Sequence, residues 1–192
     1  MSGAKPAAKA LGALAALAAL AACSTAATPD QMTVDVGAPA SVSAGAWPYH
    51  ALSVGEVSGG GQTNPLWFSG VSNDDFHAAL TASLRNLNFL ADGGGGYVVK
   101  AQLVNLDRPA LAADPVVIIA PLDMNVTATV HYTVTPIGGG APVFDGVVGT
   151  TGTGEGGSAL TSDGRVRKGV EAAIRANIAE FAKRLRAQWK AD

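Results

Sequence analysis

Residues 11–22 are leucine or alanine at every position except Gly12, and the chain's single cysteine, Cys23, follows at once. No other feature constrains the fold as much. Twelve residues of helix rise about 18 Å, well short of the roughly 30 Å hydrocarbon core of a bilayer. With Lys5 and Lys9 ahead of it and no acid, the run reads as an export leader, not a membrane span. Small Ala21 and Ala22 give a peptidase access to the backbone before Cys23. Residues 1–22 are therefore expected to be removed, which leaves 170 of the 192 residues. That length suits one domain plus a tether. With Cys23 at the new N-terminus, no cysteine remains to form a disulfide within the domain, so a packed core must hold it.

Composition agrees with a sheet protein rich in turns: 48% of residues are hydrophobic and 24 are glycine. Residues 24–46 are mostly Ala, Ser, Thr, Pro and Gly with only Asp30 and Asp35 charged, and they read as a flexible tether from residue 23 to 46. Within it, Met32–Val36 is a short edge-strand candidate. The domain is then 47–192. Ala51–Val57 alternates as a first strand, and Gly59–Pro65 reads as a loop. Ser72 or Asn73 caps a helix over 73–88 carrying Phe76, Ala79, Leu80, Ser83, Leu84 and Leu87 at helical spacing. Tyr97–Asp107 and Met124–Thr135 alternate as strands, the second most cleanly. Gly138–Gly140 turns the chain into a further strand, Val143–Thr151, and Gly152–Ala159 reads as a glycine-rich loop. A final helix over 163–189 carries a stripe from Val166 through Ile174, Asn177 and Phe181 to Leu185 and Trp189. The order β-α-β-β-β-α predicts an α+β two-layer sandwich, with two helices on one face of a mainly antiparallel sheet.

The sequence Leu20-Ala21-Ala22-Cys23 resembles the lipobox of bacterial lipoproteins. That resemblance implies an acylated Cys23, membrane anchorage and, with non-acidic Ser24 next, the periplasmic face of the outer membrane. A second resemblance covers residues 50–187. Thr63-Asn64-Pro65-Leu66-Trp67, Phe76–Leu84, Val126–Val134, Val143-Phe144-Asp145 and Ala173–Ile178 look like an uncharacterised family of proteobacterial envelope lipoproteins. In architecture that family is similar to accessory lipoproteins of lipopolysaccharide assembly and of ABC-type lipid transport. It implies a fold and a compartment more than an activity.

No catalytic constellation emerges, and the chain is expected not to be an enzyme. The glycine runs lack the Gly-Lys-Ser/Thr of a phosphate-binding loop, and no Gly-x-Ser-x-Gly elbow is present. His50, His77 and His131 have no partner at metal-ligand spacing, so neither a metal nor another cofactor is expected. Charge is uneven: residues 165–192 hold eight bases and three acids, while the rest of the mature chain is acidic. Arg184, Arg186 and Lys190 at the end of the last helix are candidates for an acidic partner or anionic lipid. They equally suit the soluble face of a core helix. Trp67 and Phe68 either anchor a partner or cap the core. Val116–Leu122 is either an exposed apolar loop or an edge strand. Nucleic acid is excluded by compartment. The expected role is a non-enzymatic partner-binding module in envelope assembly or transport. The alternative is a lipid-binding component of lipid transport, which requires an apolar cavity between helices and sheet.

Overall fold

The computed structural model describes residues 26–62, 69–109, 122–159 and 162–189. In chain order the elements are α1 (Pro29–Met32), β1 (Leu52–Ser58), α2 (Asn73–Asn86), β2 (Tyr97–Asp107), β3 (Met124–Pro136), β4 (Phe144–Gly154) and α3 (Ser162–Trp189). The strands lie side by side in the order β1-β2-β3-β4. Helix α2 crosses between the parallel pair β1 and β2, and the other two pairs are antiparallel. The architecture is the expected α+β sandwich, preceded by one extra turn of helix.

The strongest strand follows directly from its alternation. Met124, Val126, Ala128, Val130, Tyr132 and Val134 of β3 are buried under the helices, while Thr127, Thr129, His131 and Thr133 occupy the opposite, more open face. Helix α2 starts where its cap predicts: the Ser72 Oγ accepts from the Asp75 N–H at 3.0 Å. Its stripe of Phe76, Ala79, Leu80 and Leu84 is fully buried. From α3, Phe181 stacks on Tyr132 with ring centroids 4.1 Å apart and meets Phe144 edge-on at 5.3 Å.

Two expectations need correction. Strand β4 runs on through Gly154, so Gly152 and Gly154 belong to the strand and not to a loop. A Cβ on Gly152 would collide with the Ala173 nitrogen and lie 2.5 Å from the Gly169 carbonyl, and one on Gly154 would collide with the Arg165 carbonyl. These glycines let the α3 backbone rest directly on the strand backbone.

The second correction concerns residues 24–46. The described part of this stretch is neither a free tether nor an edge strand. Ala27, Met32, Val34, Ala40 and Val42 are buried in the core, Met32 completely. The backbone is tied down as well. The Thr28 N–H donates to Glu171 Oε1 at 3.1 Å, and the Val34 N–H donates to the Ser83 Oγ at 2.9 Å. The Asn86 and Asn88 amides donate to the Val34 and Val42 carbonyls at 2.8 and 3.0 Å. The segment is a strap laid across α2 and α3. Ser83, the one hydroxyl in the α2 stripe, is the socket that receives it.

Candidate functional site

Three walls of small residues leave a broad depression at the β4 edge of the domain. Ala38, Pro39 and Ala40 come from the strap, Gly149 and Thr150 from β4, and Ala176, Ala179 and Ala187 from α3. Missing side-chain volume on all three sides opens a surface groove of about 860 Å³. Glu180, Lys183, Arg184 and Arg186 stand along it, three cations to one acid.

Each charged group is held in place. Arg184 Nε donates to Glu180 Oε1 at 2.9 Å, and Lys183 Nζ to Glu180 Oε2 at 3.2 Å. The Arg184 hydrogen bond first, then that of Lys183, keeps the Glu180 carboxyl below its usual range. A lowered folded-state value means that the cluster is intact at neutral pH and is lost only as pH falls through that value. Arg184 also donates to the Val147 carbonyl of β4 at 3.2 Å. Arg186 donates to the Pro39 and Ser41 carbonyls at 2.8 and 3.0 Å, clamping the strap to α3. The two arginines thus shape the groove and supply its charge. The arrangement suits an extended acidic ligand with small side chains.

Of the other residues singled out in the sequence, Cys23, Trp67, Phe68 and Lys190 lie outside the described residues, as do residues 116–121 of the apolar stretch. His131 is on the open sheet face, its Nε2 2.6 Å from Asp145 Oδ1. His131 is 37% exposed and Asp145 60%, so solvent screens the pair. Among the described residues, no group of three or more His, Cys, Asp or Glu is placed to hold a metal ion.

In the sequence Asn177 stands as the one polar member of the α3 stripe. It is fully buried and makes a complete network. Its Oδ1 accepts from the Tyr132 hydroxyl at 3.0 Å, and its Nδ2 donates to the Val148 carbonyl at 2.8 Å and the Ala128 carbonyl at 3.2 Å. Burial pushes the Tyr132 pKa far above its usual value, so this hydroxyl remains a donor. Asn177→Leu is expected to lower stability by about 1–3 kcal/mol, because it strands that buried hydroxyl. Adding Tyr132→Phe should restore part of the loss, and urea midpoints of the two single variants and the double variant measure the coupling.

The fold these elements define is a four-stranded α+β open sandwich, and a solved structure shares it. The chain superposes on protein XCC0632 of Xanthomonas campestris, described by family model DUF330, with a TM-score of 0.55 over 83% of this chain and 95% of that one, at 12% identity. It is also similar to a candidate lipoprotein of Caulobacter crescentus (TM-score 0.47, 13% identity, 75% and 93% of the two chains). A PelC dodecamer from Paraburkholderia phytofirmans matches at TM-score 0.44 and 16% identity over 76% and 92%. No protein-family model matches the sequence, and neither does any curated protein.

Proposed function

We propose that this chain is a cell-envelope lipoprotein, anchored through Cys23 at the periplasmic face of the outer membrane. Its domain is a non-enzymatic module that seats an acidic partner protein in the groove along α3. The observation that carries the reading is the groove itself: a floor of small apolar residues bordered by Lys183, Arg184 and Arg186. The leader ending at Cys23 supports the anchor. The lipid-transport alternative asks for a cavity between helices and sheet, and in that position Tyr132, Phe144 and Phe181 are packed together. We read the basic groups at the groove as facing a protein partner.

The test is crosslinking of the lipidated protein in intact cells, followed by identification of what co-purifies. Ala187→Leu is the informative variant, because Ala187 lines the groove from α3 and is exposed, so the larger side chain enters the groove without displacing the core. It should cut recovery of the partner several-fold while leaving the unfolding midpoint unchanged. Lys183→Glu should cut recovery similarly by reversing charge at the rim. Partner recovery unchanged in both variants would remove the groove from the reading. Cys23→Ala should move the protein from the membrane to the soluble fraction, and persistence in the membrane would remove the anchor.

A further inference from the structure

The strap determines which end of the domain meets the membrane. Ala27 is buried, and its N–H donates to the Gly70 carbonyl at 3.3 Å, just ahead of α2. At this same end β1 and β2 finish, β3 begins and β4 finishes. Its loops are tied together. The Gly60 N–H donates to Asn73 Oδ1 at 2.8 Å, and the Gly156 N–H donates to Asp123 Oδ1 at 2.6 Å. The opposite end carries the β3–β4 hairpin and the C-terminal end of α3.

Cys23 precedes Ala27 by only four residues, a reach of at most about 14 Å even when fully extended. A tether running to residue 46 would have let the domain stand off and tumble; four residues do not. Resting on the reading that Cys23 is acylated, we propose that the Gly70–Ser72 end of the domain is held against the phospholipid headgroups, and that the hairpin and the α3 groove face away from the bilayer.

The distances decide what each end can touch. The 11 residues of β4 rise about 36 Å from one end to the other. Along α3, the strap descends from Glu171 to Arg186, about 22 Å of helix. That separation exceeds the physiological Debye length of about 8 Å, so the rim cations are screened from the membrane that anchors the chain. Nor is the near end a basic surface: exposed Asp74, Asp107, Asp123 and Glu155 stand there with Arg108, Arg167 and Lys168. The covalent anchor alone enforces the contact.

The test uses the full lipidated protein, whose only native thiol is consumed by acylation. A fluorophore is placed at Glu155→Cys on the near end or at Ala141→Cys in the hairpin. The protein is reconstituted in phosphatidylcholine vesicles containing a nitroxide-headgroup lipid, and quenching is read in the vesicle-bound fraction. The near label should be quenched several-fold more than the far one. Inserting about twenty Gly/Ser residues after Ser24 adds a root-mean-square reach of roughly 25 Å, and should erase the difference. Equal quenching at both sites in protein that floats with the vesicles overturns the orientation while leaving the anchor intact. A protein that fails to float overturns the anchor and the orientation together.

Discussion

Deleting residues 26–42 is expected to unfold the domain. The deletion removes Met32, Val34 and Val42, each at 5% exposure or less, and uncovers the α2–α3 surface on which they lie. Burying a side chain of this size stabilises by about 1.5–3 kcal/mol. The same cut leaves the Ser83 hydroxyl, the Asn86 and Asn88 amides and the Glu171 carboxylate without the strap groups they now bind. Together these losses reach the 5–15 kcal/mol that holds an ordinary domain folded. Met32→Ala is the graded version, expected to cost about 2–5 kcal/mol by leaving a cavity. Both are measured by chemical denaturation of a soluble Cys23→Ala background. A midpoint unmoved by the deletion would mean that the strap is the free tether its composition resembles.

Gly152→Val should be severely damaging, at about 3 kcal/mol or more. Its new Cβ would occupy space now filled by the backbone of α3 at Gly169, Ala172 and Ala173. A side chain can rotate away from a clash, but a helix backbone cannot. The whole of α3 would have to lift from β4, loosening Val166, Val170 and Ala173 at once. Gly149→Ala on the same strand provides the control, since its Cβ meets open space and the change should stay within about 0.5 kcal/mol. Thermal unfolding of the pair separates a contact requirement from a general intolerance of β4 to side chains. Equal, small shifts would show that α3 does not lie as close as the structure has it.

These two predictions mark the limit of what the sequence made legible. Wherever a local period carries the signal, the elements follow from it: the two-residue alternation of β3, the cap at Ser72, the apolar stripes of α2 and α3. The strap has no period. Its apolar residues are isolated among small ones, and they become core only because α2 and α3, distant in sequence, provide a surface for them. Gly152 and Gly154 were read as a loop because glycine usually turns a chain. Yet they continue the inward-facing alternation of Phe144 and Val148, and that spacing was the available clue. The groove was legible only in part. Arg184 and Arg186 were visible as charge, but their clamping of β4 and the strap depends on residues 37 to 147 positions away in the chain.

The strap also imposes an order on assembly. Thr28 meets Glu171 across 143 positions, and Pro39 meets Arg186 across 147. The first part of the domain to be synthesised therefore waits for the last. Contacts of such long sequence separation close slowly, because the intervening chain must be ordered before they form. Until α3 arrives, Met32 and Val34 have no complete seat, and the partly emerged chain stays open. By the same logic, truncating α3 just before Arg186 frees the Pro39–Ser41 end of the strap while Thr28 stays latched to Glu171, and truncating before Glu171 frees that end as well.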